Sequence, residues 1–297
     1  MMINLYGFEV KTDIELPIFL KPTCKHGNLP QIEFLNYINE KIDLDKMKLF
    51  EESNGIANYY KKDLFYSYGE NQEQLLVSKK YISYEKRNAT SIDYYNILSG
   101  PGIIFEAYLN GYTVLHASTF VEKGKAVIVI APSGHGKSTF CASVCRLRNC
   151  KLIADDIAVI DKEGNKVFVG TETIKLNKDT MNALGIEQWE CIDIGLNEQK
   201  RYWLCNNTGD KESYEIGSIL FLNSVYTRTN IQRLTEGEAF LKLLKYLKIK
   251  SCLTEETLQN AFRILRKVSV NVPVYTVDMK RDFQEFQKSL QIIFDLI

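Results

Sequence analysis

Between Ala131 and Ser138 the chain reads APSGHGKS, and an octet of this kind can hold a phosphate. Its pattern is that of the Gly-rich phosphate loop, G-x-x-x-x-G-K-[ST], set between a strand and a helix. Gly136, Lys137 and Ser138 match, and Ala131 stands where glycine is usual, a position that needs only a small residue. Gly134 and Gly136 allow backbone angles that turn successive N–H groups toward phosphate oxygens. The helix that follows adds the partial positive charge of its N-terminus. The ammonium of Lys137 is placed to reach the β- and γ-phosphates, and the hydroxyl of Ser138 to reach Mg²⁺. The expected nucleotide-binding residues are therefore Ser133, Gly134, His135, Gly136, Lys137, Ser138 and Thr139. His135 is either a phosphate contact or a solvent-exposed turn residue. The bland alternative for the whole octet is an ordinary Gly-containing strand–helix turn.

A second chemical feature follows closely. The segment KLIADD is short and apolar and ends in Asp155-Asp156, 18 residues after Lys137. In an α/β sheet, functional residues gather beyond the carboxyl ends of the strands. A strand ending beside the loop would bring two carboxylates to the bound phosphates, one to hold Mg²⁺ and one to accept a proton from a hydroxyl nucleophile. Taken alone, the pair could also simply close a turn, where Asp is common.

These groups need a scaffold, and the sequence outlines one. Residues 1–95 read as a β-rich N-terminal domain, with short aromatic and β-branched runs such as INLYGFEVKT, LFYSYG, QLLVS and KYISYEK. The run IEFLNYINEKI is ambiguous between strand and helix. A helix broken at Ser99-Gly100-Pro101-Gly102 is expected within SIDYYNILSGPGIIFEAYLNGYTVLHA. Residues 96–297 then alternate as an α/β domain. The spacing predicts a strand over about 126–130, a helix over about 137–147 and strands at KLIAD and IAVI, with KVFVG completing a hairpin across DKEGN. EIGSILFL is the near-continuous apolar run of a strand covered on both faces. Thr235 with Glu238 three residues later has the capping-box spacing, and Ala239, Phe240, Leu243, Leu244 and Leu247 make one apolar face. A second such helix carries Leu258, Ala261, Phe262 and Leu265; a strand VPVYTVD and a last helix over about Asp282–Leu296 complete the pattern.

A phosphate loop, a short helix and then hydrophobic-Ala-Asp-Asp resembles the HPr kinase/phosphorylase family, serine kinases related to phosphoenolpyruvate carboxykinases. His116 lies fifteen residues before Ala131, where that family carries a histidine ahead of its loop. INLYGFEV, LHAS, PSGHGKST and ADD are similar to the pattern of the small HPr-kinase-like peptide kinases, including those of lasso-peptide clusters. The resemblance implies a P-loop kinase core of HPr kinase/phosphoenolpyruvate carboxykinase type behind a β-rich N-terminal domain, with ATP or another nucleoside triphosphate and Mg²⁺ as cofactors. It implies Asp155 as general base toward a Ser or Thr hydroxyl, Ser138 and Asp156 on the metal, Lys137 on phosphate and His116 as a polar group near the transferred phosphoryl group. His116 could equally be a buried histidine held by a strand partner. The Glu-x-Arg-Gly segment of the bacterial HPr kinases has no counterpart here, so the resemblance does not extend to phosphorylase activity or to HPr as acceptor. VGTETIKLN occupies its place, and Glu172, Lys175 or, further on, Arg228 could supply a charge or stand as a solvated side chain.

The 297 residues, 45% hydrophobic and 25% charged, have ordinary globular composition with room for a sizeable core. Zero formal net charge gives no global field favouring nucleic acid or an anionic membrane. There is no apolar run of membrane-spanning length and no signal-peptide core at the N-terminus, so a cytoplasmic protein is expected. Seven cysteines, an odd number with no CxxC pair, argue against a disulfide framework and a zinc site. Cys141, Cys145 and Cys150 could form a metal or redox site, or could be small apolar residues on a buried helix.

The expected partner is a peptide or protein acceptor. The bacterial HPr kinases also form homo-oligomers through a C-terminal helix; the helix near 282–296 could do so here or pack on its own domain. Two readings of other classes share the same motifs. A nucleotide-binding sensor needs one metal acid and no spare base, and a small-molecule kinase would present a metabolite hydroxyl to the same core.

Overall fold

The computed structural model describes residues 1–17, 29–53, 56–61, 63–69, 72–193, 200–225, 229–280 and 283–296. Two compact units result: Met1–Val114 with Lys248–Ala261, and Leu115–Leu247 with Phe262–Ile297. The break expected near residue 95 falls instead after Val114, and a later segment joins the first unit.

In the first unit, β1 (Met2–Leu5), β2 (Phe8–Thr12), β3 (Gln31–Leu35), β4 (Lys48–Ser53), β5 (Ile56–Lys61), β6 (Leu64–Gly69), β7 (Gln74–Ser78) and β8 (Tyr81–Glu85) form one sheet in the order β1-β2-β3-β8-β7-β6-β5-β4. The β1–β2 hairpin turns on Tyr6 and Gly7, at φ 51° and 85°. Positive φ at both central residues is what a tight right-twisted hairpin requires. The ambiguous run IEFLNYINEKI is strand over β3 only, where Ile32 and Phe34 point inward between exposed Gln31 and Glu33. Helix α1 (Ser91–Ile97) starts on a reciprocal Thr90–Asp93 cap, breaks where Gly100 leaves helical angles, and resumes as α2 (Ile103–Leu109). All of α2 is buried; Phe105 stacks on Phe65 of β6 with ring centroids 4.5 Å apart.

The chain passes through β9 (Thr113–Leu115) into the second unit. There β10 (Ser118–Glu122) and β11 (Lys125–Ile130) form a hairpin, followed by α3 (Lys137–Arg148) and β12 (Lys151–Ala154). Next come β13 (Ala158–Ile160) and β14 (Lys166–Phe168), the expected hairpin, with Ile160 opposite Val167. A small sheet of β15 (Thr173–Asn177), β16 (Cys191–Asp193) and β17 (Lys200–Leu204), with α4 (Lys178–Ala183) between its first two strands, was not foreseen.

The long β18 (Ser213–Val225) carries the apolar run, flanked by β11 and β20 (Val274–Lys280), both parallel to it. Between them in sequence lie β19 (Asn230–Arg233), α5 (Glu236–Leu244) and α6 (Glu255–Asn271); α7 (Phe283–Leu296) follows β20. Thr235 and Glu238 make the expected capping box of α5. In α6, Ala261 and Leu265 are buried as expected, joined by Ile264 and Val268, while Phe262 is exposed.

The core of the second unit lies where α3 and α7 cover the sheet. Phe120, Val127, Val129, Phe140, Leu220, Val277, Ile293 and Phe294 all lie within it. Cys141, Cys145, Cys150 and Cys205 are free thiols of this same core. Burial raises the Cys150 thiol to about 12, helped by the nearby Glu122 carboxylate. Arg228 and Asp282, named above from the sequence, lie outside the described residues, as does Cys24.

Candidate functional site

The octet sits at the end of a strand that leaves it little freedom. In β11 every residue after Lys125 is buried, and Ala131 continues into the core at 1% exposure. That burial explains why a small residue suffices there. Residues 132–136 are exposed. Gly134 and Gly136 have φ of 76° and 88°, and a β-carbon at either would meet nothing within 4 Å. Glycine is thus demanded by the backbone, not by crowding. His135 N–H donates to the carbonyl of Pro132 at 3.1 Å, and its Nδ1 lies 3.0 Å from the Ser133 carbonyl oxygen. The amide of His135 therefore closes the turn.

Gly136 caps α3, whose first hydrogen bond runs from Phe140 N–H to the Gly136 carbonyl at 2.8 Å. The first-turn amides of a helix have no acceptor within it and leave a local positive potential. Ser138 is half-buried in this turn. The Thr139 hydroxyl turns toward α4, 3.2 Å from that of Thr180.

The strands bring the acids to the same end. Strand β10 pairs antiparallel with both β11 and β12, so β11 and β12 run the same way. Their carboxyl ends, the loop root and Asp155-Asp156, open on one side of the sheet. Between the pairs Thr119–Ala154 and Phe120–Leu152 the register shifts, a bulge immediately before the Asp pair. Bulges re-aim the side chains beside them. Asp156 itself has φ 68°, a conformation that costs energy in a non-glycine residue and is concentrated at functional sites.

The two carboxylates sit in different surroundings. Asp155 is buried at 7% exposure. One oxygen accepts the Ser118 hydroxyl, and the other accepts the backbone N–H of Lys175 at 3.2 Å. Loss of water raises its pKa, with a further push from Asp156; Ser118, Lys137 and the Lys175 amide oppose that rise. Asp156 has a side chain 55% exposed.

His116 joins the acid to the loop. Its backbone N–H donates to the Tyr246 carbonyl at 2.8 Å, which anchors it next to β10. Its Nε2 lies 3.0 Å from Lys137 Nζ. An ammonium can only donate, so Nε2 is the acceptor of this pair. Nδ1 lies 3.0 Å from Asp156 Oδ1, a close contact without hydrogen-bond alignment. Lys137, His116 and Asp156 thus form one chain of contacts, with Lys137 itself buried.

The site holds groups whose role here the sequence did not indicate. Ser118 follows His116 by two positions in LHASTF, so the pair was in view without its function. Lys175 contributes its backbone amide; its ammonium lies 5.9 Å from the Tyr202 ring centroid and the side chain is exposed. Glu172 is instead engaged with the Thr208 hydroxyl at 3.3 Å.

The donor set suits a nucleoside triphosphate: exposed glycines with open space above them, a buried lysine and a helix N-terminus. Among the described residues no cluster of three or more His, Cys, Asp and Glu side chains could hold a metal ion. The Ser138 hydroxyl and the half-exposed Asp156 carboxylate are oxygen donors of the kind Mg²⁺ takes.

No protein-family model matches this chain, and no curated protein matches it. Among solved structures, the HPr(Ser) kinase/phosphatase from Coxiella burnetii is similar over 61% of this chain and 93% of its own, at 10% identity and a TM-score of 0.32. A likeness so slight carries no weight for fold or activity, and the α/β architecture rests on the strands and helices described above. No helix of the described residues is long and apolar enough to cross a membrane.

Proposed function

We propose that this chain is a Mg²⁺-dependent phosphotransferase that moves the γ-phosphoryl group of ATP, or of another nucleoside triphosphate, to a Ser or Thr hydroxyl of a peptide or protein. The observation that carries the reading is the convergence of Lys137, His116 and the Asp155-Asp156 pair at the carboxyl ends of β11 and β12. A site built only to bind nucleotide needs one metal acid. Here a second acid stands beside it, desolvated and aimed by two donors.

When bound, Mg·ATP supplies the phosphoryl group and neutralises part of its charge. The amides of the loop and of the first turn of α3 would hold the phosphate oxygens, with Lys137 beneath them. Ser138 and Asp156 would hold the metal. Asp155 takes the proton of the acceptor hydroxyl; its raised pKa makes it a better base than an exposed aspartate. Ser118 and the Lys175 amide fix the carboxylate plane so that proton transfer needs no search. His116 holds the Lys137 ammonium at the site before nucleotide arrives. The catalytic work is then positioning and charge neutralisation.

A peptide-tailoring acceptor, of the kind modified in lasso-peptide clusters, is the narrower form of this proposal and rests on the sequence resemblance alone. The test is intact-mass spectrometry of a Ser/Thr peptide library incubated with the protein and Mg·ATP. A gain of one phosphate in the wild type, at least ~10²-fold slower in Asp155→Asn with nucleotide binding retained, is the expected result. Transfer at the wild-type rate in that variant would remove Asp155 as the base.

A further inference from the structure

The sheet of the second unit ends in a strand edge with a groove beside it. Strand β19 pairs with β20, from Asn230 opposite Asp278 to Arg233 opposite Tyr275, and among the described residues it pairs with no other strand. Just beyond it, Leu234 N–H donates to the Val274 carbonyl at 2.8 Å. Antiparallel partners alternate between hydrogen-bonded and non-bonded pairs. Asn230 and Gln232 therefore turn their N–H and C=O groups toward β20, and Ile231 and Arg233 turn theirs outward. Such a row is a template for another strand.

The groove beside this edge has a volume of about 520 Å³ and is lined by Thr229, Asn230, Ile231, Arg233, Tyr275 and Ile292. Ile231 and Tyr275 pack on the core beneath it, while Ile292 is 53% exposed. Arg233 is exposed, and its guanidinium has no carboxylate partner among the described residues. The groove thus offers an apolar floor and a single cation on its rim.

Register places this edge level with the phosphate loop. Ile130 lies opposite Phe221, Phe221 opposite Thr276, and Thr276 opposite Gln232. The last residue before the octet and the centre of the edge strand therefore share one row, three strand spacings or ~14 Å apart. A strand added outside β19 would lie ~19 Å from β11, a distance that about six extended residues span.

We propose that the β19 edge docks an extended segment of the acceptor peptide, which adds to the sheet as a further strand. An apolar side chain of that segment rests on Ile231, Tyr275 and Ile292, and an Asp or Glu two positions away, on the same face, meets Arg233. Asp155 ends β12, two strand spacings beyond β11, so the added strand lies ~29 Å from it and the phosphorylated hydroxyl about nine residues or more from this anchor. The proposal rests on the peptide-kinase reading above. A second copy of this chain fits the edge less well, since it would bring another Arg233 to the same four-residue strand, like charge against like.

The experiment pans a phage-displayed library of random linear dodecapeptides against the full chain and against Arg233→Glu and Ile292→Lys, without nucleotide. The expected outcome is enriched peptides that pair an acidic with an apolar residue two positions apart and bind both variants about tenfold more weakly. Arg233→Glu should itself select Lys or Arg at the acidic position. No enriched sequence, or peptides retained equally by all three proteins, overturns the proposal. The enriched peptides, joined through about nine residues to a Ser-containing segment, are then offered with Mg·ATP. Arg233-dependent binding with no phosphate gained sinks the kinase reading and leaves the edge a peptide site. Phosphorylation with the same KM in wild type and Arg233→Glu leaves the kinase and sinks the docking site.

Discussion

Replacing Glu106 by glutamine should stabilise the protein at neutral pH, by an amount that grows with pH. Glu106 lies in the wholly buried α2 and has no exposed surface. Its Oε1 accepts from Asn110 Nδ2 at 2.7 Å, and its Oε2 is buried without a hydrogen-bond partner. Loss of water around the carboxylate pushes its pKa up to about 8, against the opposing pull of Asn110 and of the Lys79 charge. In the unfolded chain the group titrates near 4.5. Between those two pH values the folded state keeps a proton that the unfolded state has lost. Folding stability therefore falls as pH rises, by ~1.4 kcal/mol per unit, and levels off above the folded pKa. The cost reaches roughly 3 kcal/mol at pH 7 and roughly 5 kcal/mol above the folded pKa.

Glutamine keeps the oxygen that Asn110 uses and cannot ionise. Urea unfolding of wild type and Glu106→Gln, followed by circular dichroism near pH 5.5, 7 and 8.5, isolates this one group, because all other titrations cancel in the difference. The stability gain should climb from ~1.4 to ~3 to ~5 kcal/mol across the three conditions. A gain that stays constant with pH, or a variant less stable throughout, would refute the claim that an ionisable, unpaired carboxyl is held in that core.

Other consequences bear on the site. Lys137→Ala should abolish transfer and weaken ATP binding in a calorimetric titration; full activity would take the octet out of the mechanism. Ser118→Ala removes a hydrogen bond that lowers the Asp155 pKa. Its loss should raise that pKa further. Since the base works only when deprotonated, the acid limb of the kcat/KM profile should move to higher pH, and an unmoved limb would separate Ser118 from the base. Gly136→Ala meets no steric obstacle but forces a φ of 88° on a residue with a β-carbon. It should cost about 1–2 kcal/mol, read as a lower Tm, and weaken nucleotide binding as the loop relaxes.

What could be read from the sequence, and what could not, divides by the range of the interaction. The octet, the helix after it and the Thr235–Glu238 cap are local: each is fixed by neighbours within four residues, and each forms where the spacing put it. The buried β18 was legible for the same reason, since a long apolar run needs no partner to declare itself. Ser118 was visible as a residue and silent as a role, because it meets Asp155 only through the β10–β12 pairing and the bulge within it, a relation between strands about 35 residues apart. The Lys175 amide is more remote still, since a backbone N–H carries no signature in residue type. Strands β15, β16 and β17 were missed because their short, charged segments pair with one another rather than enter the main sheet. The β19 edge was missed for a related reason: Asn-Ile-Gln-Arg has one inward apolar residue and no alternation long enough to count, and its unpaired side exists only once β20 has taken the other. Motif chemistry is written locally, whereas the groups that aim it, and the edge proposed to present its substrate, are products of register.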